Sequence, residues 1–370
     1  MSYARWLLVS ITVFALAACG GGGGSSSAPT ALLPGTTGGA AAHPAAATVP
    51  KYTIVDLGAS VVPNAINSHN LVVGSVGYNG FTHAFSYSNG SMHVYGVLPG
   101  DAASAAADVN DSGVIVGSSS ASNGTWHAVE FPSSGSLIDL GGLTGQDINI
   151  ATGVSNAGEI VGSSGTTDSS ALPACNGNTV IFDGHGNARE IFPNGGGSSP
   201  AAVNDSGTIV GAQCINGPAD WGPFSYPVTA AFPANQCRAA LHEEFSAQDV
   251  NDAGDIAGDY AFGTSNSTCA VHGFLIRNGT VTDIPGVNTS DDIAVAALNT
   301  ADWVVGSDPM LQHATLFANG TTYDLNSLVT GQSCALWTLQ SATDINGSNV
   351  IVGTGLLSNT EHGFMLIPQQ

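Results

Sequence analysis

One ten-residue phrase recurs seven times between Asn67 and Gly353, each copy closing on a glycine: Gly74, Gly117, Gly162, Gly211, Gly258, Gly306 and Gly353. Spacings of 43, 45, 49, 47, 48 and 47 residues mark one supersecondary unit copied along the chain. Four residues before each anchor stand Asn70, Gly113, Gly158, Gly207, Gly254, Asp302 and Asn349, all of them types that tolerate positive φ in a tight turn. Seven residues before the anchor stand Asn67, Asn110, Ser155, Asn204, Asn251, Asn299 and Asn346, whose side chains can bond local backbone and start that turn. Pairs such as Ile115-Val116, Val304-Val305 and Ile351-Val352 follow, β-branched and suited to a short buried strand. The unit reads strand, Asn-x-x-Gly turn, strand.

A second phrase supplies a third strand: His83-Ala84-Phe85, His127-Ala128-Val129, Gly222-Pro223-Phe224, His272-Gly273-Phe274, His313-Ala314-Thr315 and His362-Gly363-Phe364, with Asn178-Thr179-Val180 keeping only the rhythm. Asn89-Gly90, Asn278-Gly279 and Asn319-Gly320 then turn the chain into a fourth strand, as in Ile138-Asp139-Leu140-Gly141 and Val281-Thr282-Asp283-Ile284. Four antiparallel strands per repeat predict an all-β, seven-bladed β-propeller of four-stranded blades. The last repeat stops at its third strand, Gly363 to Ile367, while an orphan fourth-strand phrase, Tyr52 to Gly58, opens the domain. This N-terminal strand is expected to complete the last blade and close the ring, which removes exposed sheet edges.

These phrases resemble the bacterial extracellular repeat family named for its His-Ala-Phe tripeptide, whose repeats combine Ile-Asn-x-x-Gly-x-Val-Val-Gly-Ser with His-Ala-Phe and a later Asp-Leu-Gly. The likeness spans residues 52–367, with Asn178 and Gly222 departing from the histidine position. It implies the repeat fold and an extracellular setting, and brings no catalytic residue with it.

At the N-terminus Arg5 precedes an apolar stretch, Trp6 to Ala18, too short to span a bilayer and suited to a secretory signal. Leu16-Ala17-Ala18-Cys19 resembles the lipobox of bacterial lipoproteins, which implies that residues 1–18 are a signal peptide and that Cys19 carries a diacylglycerol thioether and an N-acyl chain. Several acyl chains anchor stably where one does not. Gly20 after the cysteine implies, by the same resemblance, an outer-membrane lipoprotein facing the periplasm or the cell surface. Residues 19–49, rich in Gly, Ala, Ser, Thr and Pro, read as a flexible linker, and residues 50–370 as the propeller.

Five Lys plus Arg stand against 27 Asp plus Glu, a formal charge of −22. Such a surface is repelled by nucleic acid and by anionic membranes, so the only membrane contact expected is the lipid anchor. Asp108-Val109-Asn110-Asp111-Ser112-Gly113 and Asp249-Val250-Asn251-Asp252-Ala253-Gly254 look like calcium loops, but Ser112 and Ala253 fail at the fifth ligand place and no glutamate follows at the twelfth. The same turn recurs without the leading aspartate in other repeats. It is therefore read as turn chemistry, with no metal or cofactor predicted. The histidines His83, His127, His272, His313 and His362 share one repeat position, and repetition argues for a structural role.

Function is expected where the copies differ. Extra length follows the second strand in repeats three to five and the fourth strand in repeats four and six, and both connection types emerge on one face of a blade. The remaining cysteines, Cys175, Cys214, Cys237, Cys269 and Cys334, fall in these loops with Trp221 and Trp337, as candidate disulfides in an oxidising compartment. Five is odd, so one thiol is left over; Cys214 with Cys237 and Cys175 with Cys269 are among the open pairings. The leading reading is a monomeric, noncatalytic binding module for a glycan, peptide or envelope protein, with Asp220, Trp221, His242 and Trp337 as candidate binding-face residues. An enzyme acting on extracellular polysaccharide or peptide is the alternative, drawing on Asp220, His242, Glu243, Glu244, Asp291 and Asp292. A structural spacer is the third reading.

Overall fold

The computed structural model describes residues 48–166, 177–192, 197–214, 221–227, 230–233, 246–263, 269–288, 292–331 and 334–369. Repeat one forms β2 (Val61–Ile66), β3 (Val72–Tyr78), β4 (Phe81–Ser88) and β5 (Ser91–Val94), after the N-terminal strand β1 (Tyr52–Ala59). Repeat two forms β6 (Ala103–Val109), β7 (Ile115–Ser120), β8 (Trp126–Glu130) and β9 (Ile138–Gly141). Repeat three forms β10 (Ile148–Val154), β11 (Ile160–Gly165), β12 (Gly177–Phe182) and β13 (Ala188–Glu190). Repeat four contributes β14 (Ser198–Val203), β15 (Ile209–Cys214) and β16 (Trp221–Tyr226). Repeat five forms β17 (Ala247–Val250), β18 (Ile256–Gly263), β19 (Cys269–Arg277) and β20 (Thr280–Ile284). Repeat six forms β21 (Ala294–Leu298), β22 (Val304–Asp308), β23 (His313–Ala318) and β24 (Thr321–Asp324). Repeat seven forms β25 (Trp337–Ile345), β26 (Ile351–Leu357) and β27 (Thr360–Pro368).

The fold is an all-β propeller arrangement, but the expectation of seven separate four-stranded blades is corrected by the sheets. Among the described residues five sheets stand as single blades: β2–β5, β17–β20, β21–β24, β25–β27 with β1, and a three-stranded β14–β16. The sixth is one continuous eight-stranded sheet, β6 to β13. Its two halves join through a parallel contact of Trp126 with Ile148, reinforced by Trp126 N–H donating to Asp147 O at 2.9 Å. β9 pairs with β8 between Ala128 and Glu130, and Trp126, which lies beyond that pairing, meets Ile148 of β10 instead. In repeat four the described residues 230–233, which follow the third strand, form no strand.

β1 does what its orphan phrase implies. It lies antiparallel to β27, Tyr52 opposite Pro368 and Ala59 opposite His362, as the outer strand of the last repeat's sheet. Tyr52 is fully buried in the cluster shared with Trp303, Leu316, Leu339 and Phe364, and Leu57 enters the next cluster with Val61, Val72 and Phe85. Apolar packing thus runs between neighbouring repeats, including the last and the first.

The anchor glycines have a single cause. Each first strand carries a β-bulge whose extra residue stands three before the turn residue, between Pro63 and Ala65, Ala106 and Asp108, or Ala342 and Asp344, for example. The bulge presses a backbone carbonyl onto the anchor: a Cβ at Gly74, Gly117 or Gly353 would be driven into Val62 O, Ala105 O or Ser341 O. No side chain fits there. The turn position also behaves as expected, with φ of 60° at Asn70, 80° at Gly113 and 60° at Asp302 and Asn349.

Candidate functional site around the ring axis

The turns of all seven repeats converge on one axial cavity of about 260 Å³, lined by Ile66 to Ser68 and by the equivalent residues through Ile345 to Gly347. Two sets of side chains build its wall.

The first set is the turn asparagines. Asn67 Oδ1 accepts the N–H groups of His69 and Leu71 inside its own turn, while its amide nitrogen donates to Asn110 O of the next repeat at 2.9 Å. The donation repeats from Asn110 to Ser155 O (3.0 Å), Asn204 to Asn251 O (2.9 Å), Asn251 to Asn299 O (3.2 Å), Asn299 to Asn346 O (3.1 Å) and Asn346 back to Asn67 O (3.0 Å). Asparagine carries on one short side chain both the carbonyl acceptor the turn uses and an amide donor that reaches the neighbouring repeat. Where the positive-φ residue carries a side chain it takes the second amide hydrogen, as Asn70 does from Asn346 and Asn349 from Asn299, both at 2.8 Å.

The second set is Asp108, Asp249 and Asp344, each two residues before a turn asparagine. Every one of them accepts two backbone N–H groups, one from its own repeat and one from the next: Asp108 from Val109 and Val154, Asp249 from Val250 and Leu298, Asp344 from Ile345 and Ile66, at 2.7 or 2.8 Å. Burial pushes the Asp108 carboxyl above the usual carboxylate range, Asp249 up to about 7 and Asp344 up to about 8. Mutual repulsion adds to this, since Asp249 feels Asp108 and Asp344 feels both. At the mouth Asp111, Asp205 and Asp252 each accept a backbone N–H from the preceding repeat, from Ser68, Ala157 and Asp205 respectively.

The two acidic phrases that resemble calcium loops are therefore clamps on the backbone. Farther out, the repeated histidines are also engaged: His272, His313 and His362 bond the fourth-strand aspartates Asp283, Asp324 and Asp56 at 2.9, 2.9 and 2.8 Å, His127 bonds Asp101, and His83 bonds Tyr95 O. The bond to Asp324 raises the pKa of His313.

Cys19, expected to carry the lipid, and the loop-face candidates Cys175, Asp220, Cys237, His242, Glu243, Glu244 and Asp291 lie outside the described residues. Trp221 opens β16 opposite Cys214, which is disulfide-bonded. Cys269 opens β19, and Cys334 opens a short 3₁₀ turn, Cys334–Leu336. Trp337 is partly buried and stacks edge-on against His362 and Phe364, so its ring serves the packing of the last repeat. Asp292 accepts the N–H of Val271 at 2.8 Å. The axial clamps were missed as a site; the signal for them is an aspartate two residues before the asparagine in three repeats, Asp108, Asp249 and Asp344.

No family model matches the chain, and no curated protein does. Among solved structures it is similar to virginiamycin B lyase from Staphylococcus aureus, at 9% identity over 86% of this chain and 100% of that one, with a TM-score of 0.49. A gluconolactonase from Xanthomonas campestris matches at 10% identity over 88% and 97%, with a TM-score of 0.39. The propeller assignment stands on the sheets and the axial ring themselves.

Proposed function

We propose that the chain is a propeller module that binds a glycan, peptide or envelope protein without transforming it, held at the bacterial outer membrane through a lipid on Cys19. The observation that carries this reading is the state of the axial carboxylates. Asp108, Asp249 and Asp344 spend both oxygens on backbone N–H groups, and Asp111, Asp205 and Asp252 each hold another. A general acid or base must instead be within reach of a substrate proton and free to exchange one. The cavity is thus built as scaffold, and recognition falls to the connections that differ between repeats. A formal charge of −22 supports a partner other than nucleic acid.

The test uses the full chain with Cys19→Ser, which should leave the membrane fraction; continued membrane retention would count against lipidation. Incubated with a glycan array and with cross-linkable envelope extract, it should retain one ligand class saturably and return it with unchanged mass. Time-dependent conversion of that ligand by the purified chain would overturn the noncatalytic reading.

A further inference from the structure

The hydrogen bonds around the axis fail together at one place, between repeats three and four. The asparagine ladder breaks there because Ser155 accepts the N–H of Glu159 within its turn but has no amide to donate, and among the described residues no side chain donates to Asn204 O. The carboxylate clamp is missing because Gly153 occupies the place held by Asp108, Asp249 and Asp344, so no described carboxylate reaches Val203 N. The three clamps serve six of the seven equivalent N–H groups, and Val203 is the seventh. At the bulge place Thr343 Oγ1 donates to Pro63 O of the next repeat at 2.9 Å and Asn64 to Ala106 O at 2.7 Å, Ala107, Ala201 and Ala296 bring no polar side-chain atom, and Thr152 Oγ1 is buried without a partner. Repeats three and four also lack the third-strand histidine, having Asn178 and Gly222.

We propose that the ring opens at this seam, with the axial edge of repeat four parting from repeat three and widening the cavity on one side. The contacts that persist there define the pivot. Thr179 N and Oγ1 bond Ser198 Oγ at 3.1 and 2.9 Å, Ala157 N bonds Asp205, and Val161, Ile191, Val203, Ile209 and Phe224 pack across the joint. Opening therefore swings about the packed body of the two repeats and frees the unclamped Val203 and Thr152 groups first. Local opening of this kind is governed by the few bonds that must break, independently of the global stability. The inference does not depend on what the module binds.

Hydrogen exchange on the whole chain tests it. Peptides covering 150–158 and 200–208 should exchange at least tenfold faster than those covering 341–349 and 63–71, the same positions at the seam between repeats seven and one. Ser155→Asn restores the missing donor and should slow exchange at the seam about fivefold or more, while Asn299→Ser should speed it by a similar factor between repeats six and seven. Gly153→Asp is the second variant: a Cβ there lies 3.5 Å from Val203 N, close enough for its carboxylate to clamp that group. Equal exchange at all seams, or seam exchange indifferent to both Ser155→Asn and Gly153→Asp, would overturn the proposal.

Discussion

The seam between repeats seven and one and the seam between repeats three and four use the same backbone and different side chains. At the first, Asn346 donates to Asn67 O and Asn70, Asp344 clamps Ile66 N, Thr343 reaches Pro63 O, and β1 crosses over to pair with β27. At the second, serine, glycine and an unpartnered threonine occupy the corresponding places. The seam where the first and last repeats meet is thus the better stitched. Closing the ends costs chain entropy that no covalent link offsets, and the axial bonds supply the compensation. A joint inside the continuous chain can survive with fewer.

The comparison breaks most visibly if β1 is removed. Deleting residues 51–60 strips an outer strand and the buried Tyr52 and Leu57, and should lower the melting temperature by about 10 °C or more. An unchanged value would sink the closure argument. Next in size is Gly353→Ala, whose methyl meets Ser341 O; a loss of about 3 kcal/mol is expected in urea denaturation. Gly153→Ala at the other seam, with Val161 Cγ2 at 3.3 Å as the nearest atom, should cost under about 1 kcal/mol. Asp344→Ala leaves two N–H groups unclamped and should cost about 2 kcal/mol.

That last cost carries a pH signature. The folded-state pKa of Asp344 is raised to about 8, above its value in the unfolded chain, so its favourable contribution is full below about pH 4 and fades as pH rises through 8. The penalty of Asp344→Ala should therefore be larger at pH 5 than at pH 8.5; the reverse trend in melting temperature would refute the buried-carboxylate account.

The scaffold was legible because its chemistry repeats. Residues such as Asn70, Gly113 and Asp302 announced positive φ through their type alone, and Tyr52 to Gly58 announced the closing strand by matching a phrase found elsewhere. The sheet boundaries were not legible. β5, β9 and β24 are all four residues long, yet only the sheet of β9 runs on into the next repeat, through the single pairing of Trp126 with Ile148, so strand length carries no signal for it. The axial clamps were hidden for another reason. Asp108 and Asp249 show their carboxylates in the sequence but not the backbone N–H groups of Val154 and Leu298 that face them, so the same letters read as well for a cation as for a peptide bond. The candidate binding residues lie where no repeat constrains them, and there Trp337 reads as an exposed platform although His362 and Phe364 enclose its edge.

The claim that axial side chains stitch the ring is tested most directly by two mirror-image substitutions at one repeat position, measured by thermal unfolding of otherwise identical chains. Asn346→Ser removes two donated bonds and should destabilise by about 1–2 kcal/mol, whereas Ser155→Asn adds one and should stabilise by about 1 kcal/mol. Shifts of opposite sign are the predicted result. Shifts of the same sign, or none in either chain, would contradict it.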